Sequence, residues 1–213
     1  MKTRTLPAGE KFEFQIFLNI SIMPYIARKW TIAIWTRWGL WAFPLMPAIL
    51  FGFYKLWPSA DALTLACSLV LLIMILAITL IDARHMIIPD TLVFCLGITG
   101  VVSISFLTPG LVVMHLLGSI GGFAIFFVFR KAFFQLRGKE GIGFGDVKLV
   151  AVGCLWIGID GLPSQILIAS GTALVLALFL RAKRGRLSRI PFAPHLTSAL
   201  WIVWCCGPLV LDF

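Results

Sequence analysis

The chain has 213 residues, 60% of them apolar and only 13% charged, against about 45–50% and ~25% in an ordinary soluble domain. That excess cannot be hidden in one water-soluble core, so the composition excludes a simple globular domain and indicates a membrane protein. The net charge of +9 would point to nucleic acid in a soluble protein; here it reads as topogenic charge on cytoplasmic loops, with no nucleic-acid partner.

The first eleven residues are polar, and no small-residue cleavage site follows an early apolar stretch, so no cleavable signal peptide is expected. Residues 12–27 are short for a span, carry Glu13 and are broken by Pro24. They read as an interfacial amphipathic segment or as an eighth span. Trp30, Trp35, Trp38 and Trp41 then alternate with Arg28, Lys29 and Arg37, a mixture suited to the headgroup layer.

A crossing takes about 20 apolar residues. Seven runs approach that length: 40–57, 62–81, 91–108, 111–129, 147–159, 164–180 and 191–211. The expected fold is therefore all-α, a polytopic transmembrane helix bundle of seven spans. The fifth run is short and starts beside Asp146, as a helix beginning below the membrane surface next to a polar cavity would.

Lys and Arg give the orientation. With seven spans and the N-terminus inside, 17 of the 18 basic residues fall on the cytoplasmic side, in clusters such as Arg130, Lys131, Arg137 and Lys139, and Arg181, Lys183, Arg184, Arg186 and Arg189. Only Lys55 lies near an outer end. The connections around Asp61, Pro109, Asp160 and Asp212 are short and carry no bases. This is a positive-inside pattern, and it puts Asp82 and Asp146 on the same, cytoplasmic side.

The five cysteines, Cys67, Cys95, Cys154, Cys205 and Cys206, sit in apolar runs with no Cys-x-x-Cys pair. They read as small buried apolar residues, and neither a metal site nor a disulfide framework is expected.

Of nine acids, Glu10, Glu13, Asp61, Asp160 and Asp212 read as solvated or interfacial groups. Asp82 follows a long uncharged run and closes a helix, where its charge opposes the helix dipole. It is a poor cap, better explained by function or by an ion pair with Arg84. Asp90 and Asp146 stand where helices should start, and both fit the bland reading of a helix N-cap. Gly141, Gly143 and Gly145 alternate before Asp146. Glycine permits positive φ and close backbone approach, so a peptide could lie against this backbone beside the acid. No Gly-Lys-Ser/Thr follows, so it is not a phosphate loop. Lys148 reads as a side chain snorkelling to the headgroups. His85 and His115 read as interfacial or packing residues, and Gly118, Gly121 and Gly122 as sites of close helix approach within the bundle.

Three segments together carry a resemblance. Asp-x-Arg-x-x-x-Ile-Pro-Asp (82–90), Gly-Lys-Glu-Gly-x-Gly-x-Gly-Asp-x-Lys-Leu (138–149) and Ile-Pro-Phe-Ala-Pro (190–194) occur in this order. The chain resembles the type IV prepilin peptidases over about 62–203. The resemblance implies a membrane-embedded aspartic endopeptidase at the cytoplasmic face of the bacterial inner membrane, needing no cofactor. Its six-helix catalytic core would span 62–213, after an N-terminal interfacial and membrane region at 1–61. It implies Asp82 and Asp146 as the catalytic pair. Asp90 takes a second, non-catalytic acidic position, with Glu140, Lys148, Arg84, Gly143 and Gly145 in supporting or substrate-binding places. The partners implied are a prepilin or prepilin-like substrate, with a basic leader and an apolar helix, and membrane lipid. Longer family members bear a loop with two Cys-x-x-Cys pairs that binds zinc; this sequence has no such pairs, so no metal is expected and N-methylation is in doubt. His195 and Ala193 replace the family's Phe and Gly, which alters packing of the last helix.

In such a pair one carboxylate is the base and its protonated partner the acid, the two sharing one proton around a water. Which acid takes which role is not readable from sequence. Two other readings compete. One is an intramembrane protease of the presenilin-like type, which lacks the 82–90 segment; the other is an ion-coupled transporter using two membrane acids, for which no inverted repeat is visible.

Overall fold

The computed structural model describes residues 47–56, 60–138, 141–184 and 190–208. The chain divides into two units, 1–40 and 41–213, and all described residues belong to the second. The segment 12–27, the tryptophan-rich stretch and Glu140 lie outside the described residues.

Helix is the only regular structure among the described residues. In a bilayer each backbone N–H and C=O must be satisfied within its own segment, so valine- and isoleucine-rich runs that would favour strands in water become helices. The elements are α1 (Pro47–Leu56), α2 (Ala62–His85), α3 (Asp90–Leu107), α4 (Val112–Arg137), α5 (Phe144–Arg184) and α6 (Ala193–Cys206). A short 3-10 turn at Pro109–Leu111 joins α3 to α4. Among the described residues four stretches are long and apolar enough to cross a membrane: Ala62–His85, Asp90–Leu107, Pro109–Arg137 and Phe144–Ala182. The chain is a multi-pass membrane protein.

α5 covers two expected runs. It is broken at Gly158, whose φ of 70° and ψ of 175° are not helical, and the chain folds back there. Gly153 lies against the Gln165 side chain, a Cβ at Gly153 meeting it at 3.1 Å. In a straight helix residues twelve apart stand about 18 Å from each other. The carbonyl of Leu155, near the end of the first arm, is taken up by His115 Nδ1 at 2.8 Å. His115 is thus a packing residue of α4 that satisfies the break, as the sequence led us to expect.

α6 lies at the centre, with ten of its fourteen residues buried. It packs between α2 and α5, joining Leu71, Ile75 and Ile78 of α2 and Leu149, Cys154 and Trp156 of α5 in one core with its own Leu196, Leu200 and Trp201. α1 leans on this core through Phe53, 5.9 Å from the Trp201 ring. Gly118 and Gly122 let α4 close on α5: a Cβ at Gly118 would stand 3.2 Å from the Ile159 backbone nitrogen, and one at Gly122 2.8 Å from Cys154 Sγ. Their use is internal packing; Gly121 has more room. Among the cysteines Cys67 and Cys154 are buried, Cys95 and Cys205 half-buried, and Cys206 is exposed at the end of α6, a departure from the uniform burial expected.

Candidate active site

Asp82 sits in the last turn of α2 and is 5% exposed. Its turn ends at Met86, which adopts the left-handed conformation with φ 54° and returns its N–H to the Asp82 carbonyl at 2.8 Å. The buried carboxylate faces the N-terminus of α6, and the Ala193 backbone N–H donates to Asp82 Oδ2 at 3.3 Å. The first amides of a helix have no partner within it and carry the positive end of its dipole, so this arrangement suits an anion. An aspartate badly placed for its own helix is well placed for the neighbouring one.

Asp146 lies in the first turn of α5, half-buried. It is not an N-cap, the bland reading its sequence position allowed. The helix starts at Phe144, so Asp146 is its third residue and reaches back to the Gly143 backbone amide, as the third residue of a capping box does. Asp82 stands within electrostatic range of Asp146. The fold therefore brings together two carboxyls 64 positions apart in sequence.

The three sequence segments meet around this pair. Gly145 makes room for Ile88, whose Cβ stands 3.0 Å from where a Gly145 Cβ would be. A Gly143 Cβ would approach Asp146 Oδ2 to 3.0 Å, and one at Gly141 would overlap the Phe133 ring. None of these three glycines has positive φ. Of the two freedoms glycine offers, close approach is the one used: the missing side chains admit the protein's own Ile88, Asp146 and Phe133. Arg130 anchors the same segment from α4, its Nε donating to the Ile142 carbonyl at 3.1 Å.

Asp90 is not an N-cap either. Pro89 holds that position and makes no side-chain cap bond; Asp90 is the first helical residue. Its Oδ1 receives Lys148 Nζ at 2.7 Å. Lys148 therefore does not extend freely to the headgroups as its sequence position suggested: it joins α5 to α3, with its ammonium 4.6 Å from the Phe144 ring centre. Arg84 is exposed in the last turn of α2, and His85 beside it is also exposed.

Two contributors escaped the sequence reading. The Ala193 amide has no side-chain signature, although Pro191 and Pro194 on either side mark a helix start. Thr79, one turn before Asp82, shares a 2.8 Å hydrogen bond with Thr197 of α6. Thr197 also donates to the Ala193 carbonyl at 2.9 Å. Its single hydroxyl proton can serve only one acceptor, so Thr79 is the donor when Thr197 turns to the backbone. This bond ties α2 to the turn that presents the Ala193 amide. His195, where the resembled family has Phe, is 1% exposed and pairs through Nδ1 with Thr172 Oγ1 at 3.0 Å, joining α6 to the second arm of α5.

A multi-pass membrane helix bundle with two carboxyls from separate helices within electrostatic range of each other defines the class. The comparisons then name the family. A sequence model of the type IV leader peptidase family matches residues 69–178. The chain is 36% identical over 167 residues to a prepilin leader peptidase/N-methyltransferase of Xanthomonas campestris, covering 76% of this chain and 54% of that protein. It is 32% identical to one of Neisseria gonorrhoeae over 78% of this chain and 57% of that protein. It is also 32% identical to one of Pseudomonas aeruginosa, over 92% of this chain and 69% of that protein. The chain belongs to the type IV leader peptidase family. It spans about half the length of the first two relatives. No solved structure matches it.

Proposed function

We propose that this chain is an aspartic endopeptidase that removes the basic leader from type IV prepilins or prepilin-like proteins, cutting at the cytoplasmic face of the bacterial inner membrane. The observation that carries the reading is the convergence of Asp82 and Asp146 from α2 and α5, each charge within reach of the other. Each acid has a backbone amide partner, Ala193 for Asp82 and Gly143 for Asp146. The remaining oxygens serve a water and the substrate. One carboxylate takes a proton from the water as it attacks the scissile carbonyl; the protonated partner hydrogen-bonds the carbonyl oxygen and then protonates the leaving amine. The two titrate as a unit.

The proposed topology has seven spans with residues 62–213 as the catalytic core. α5 supplies two crossings through the Gly158 break, and 17 of the 18 basic residues then lie on the cytoplasmic side. Gly143, exposed beside Asp146, is a place for substrate backbone to lie, with Gly145, Glu140, Lys148, Asp90 and Arg84 in support. The relatives' name includes N-methyltransferase. Because this sequence has no Cys-x-x-Cys pair, our reading is cleavage without methylation.

Co-expression with candidate prepilins, followed by mass measurement of the prepilin N-terminus, tests this. The expected product is shortened by its leader and carries no added methyl group. An uncut prepilin across all candidates contradicts the peptidase reading, and a methylated product contradicts its second half.

A further inference from the structure

The bond that α6 makes to Asp82 is a long one. The Ala193 amide reaches the carboxylate at 3.3 Å, beyond the range of about 2.7–3.2 Å that N–H···O bonds usually take. A shift of roughly a few tenths of an ångström at the start of α6 therefore decides whether that bond is kept. Whatever fixes this start is part of the site. Thr79 of α2 holds it from one side, through Thr197 at 2.8 Å. Thr197 lies one turn after Ala193, on the same α2-facing side of α6. His195 is two residues from each, about 200° round the helix, and faces the second arm of α5.

On that side the buried His195 has its Nδ1 3.0 Å from Thr172 Oγ1. The direction of this bond follows from the proton count. The Thr172 hydroxyl has the Ile168 and Ala169 carbonyls of its own helix at 2.9 and 3.1 Å. A hydroxyl has one proton, and here it goes to the backbone. Thr172 is then the acceptor, and His195 donates from Nδ1–H. The ring's Nε2 is buried and has no hydrogen-bond partner among the described residues. The other tautomer would place an N–H there with nothing to receive it, which protein interiors avoid. Gln165 adds a second bond from the same arm of α5, Nε2 donating to the Leu196 carbonyl at 3.3 Å.

We propose that His195 is a positioning residue for the acid pair: as the Nδ1–H tautomer it ties the start of α6 to the second arm of α5 and so keeps the Ala193 amide on Asp82. The proposal rests on the peptidase reading above and gives a duty to an arm that brings neither of the paired acids. The first turn of α6 is gripped from both sides, by Thr79 of α2 and by Thr172 of α5. Without the Ala193 amide, the Asp82 charge would face the negative end of its own helix with nothing to offset it. The contact is particular to this chain, which has His195 where the resembled family has Phe.

Two measurements test this. The first is nitrogen NMR of the imidazoles of the unaltered protein in phosphatidylethanolamine/phosphatidylglycerol vesicles. His195 is assigned through isotope-labelled Pro194, the one proline that precedes a histidine, so the readout needs no variant to fold. It should show a proton on Nδ1 and none on Nε2; a proton on Nε2 overturns the proposal. The second measures kcat and KM for a full-length prepilin, with folding checked by thermal melting. His195→Leu and Thr172→Val should each lower kcat by about fivefold, on the order of one neutral hydrogen bond, and change KM by less than about twofold. The double variant should be no slower than either single, because all three lose the same bond. Asn carries its N–H on the carbon that bears imidazole Nδ1, whereas Gln carries it one bond further out. His195→Asn should therefore recover to within about twofold of the unaltered rate, and His195→Gln should not. Unchanged kcat in folded His195→Leu and Thr172→Val, additive losses, or equal rates for the Asn and Gln variants overturn the positioning role. If the unaltered protein cleaves no prepilin, the peptidase reading itself fails and the positioning role falls with it, while the NMR still reads the tautomer.

Discussion

Asp82 shows how a residue can be misplaced locally and right globally. In the last turn of α2 its charge faces the negative end of its own helix dipole, yet its carboxylate meets the positive end of α6 at the Ala193 amide. Sequence exposed the first half of this argument, because a charge after a long apolar run is visible without coordinates. The second half depends on a backbone N–H, which no residue type announces. Two predictions belong at this scale. Met86 holds a left-handed conformation at φ 54°, which costs an L-residue roughly 1–2 kcal/mol. Met86→Gly should therefore leave thermal stability in detergent unchanged or slightly raised, by up to about 1 kcal/mol once the glycine's extra chain entropy is counted. Lys148→Met breaks the ion pair with Asp90, but the Asp90 side chain is largely exposed. Exposed pairs are worth about 0–1 kcal/mol, so the unfolding midpoint should barely move.

At the scale of elements, the expected runs at 62–81 and 91–108 correspond to α2 and α3 within a few residues, because uncharged length is set by the bilayer and is readable directly. The end of α4 was not readable in this way. The expected run stopped at 129, but the helix continues to Arg137. Hydropathy reports where lipid ends, and the helix persists beyond it, presenting Arg130 and Phe133 to the 141–143 segment. The pairing of Asp90 with Lys148 was equally hidden, since it joins residues 58 apart on two helices. Thr79→Val tests the coupling of α2 to α6. It should cost about 1 kcal/mol, the usual worth of a hydrogen bond between membrane helices. It should also slow prepilin cleavage several-fold by loosening the turn that presents the Ala193 amide. A loss of stability with no change in rate would make the bond purely structural.

For the whole molecule, the central claim is that separate helices deliver two carboxyls to one place on the cytoplasmic side. Topology reporters fused after residues 61, 109 and 160 should read as outside, and those after 87, 138 and 187 as inside; the reverse at 87 and 138 would remove the acids from the cytoplasmic face. The distribution of basic residues is what makes this orientation a sequence-level expectation, because it is a property of loops. The assembly of the site was legible only through the resemblance of three distant segments, since no local pattern says that the start of α6 meets the end of α2.

The most direct measurement compares cleavage rates of one purified prepilin by the unaltered protein, Asp82→Asn, Asp146→Asn and the double variant, each checked for folding by thermal melting. Residues that act as a unit lose function non-additively. Each single variant should therefore lose at least about a thousandfold in rate, and the double variant should be no slower than the singles. Substantial cleavage by either folded single variant would contradict the account.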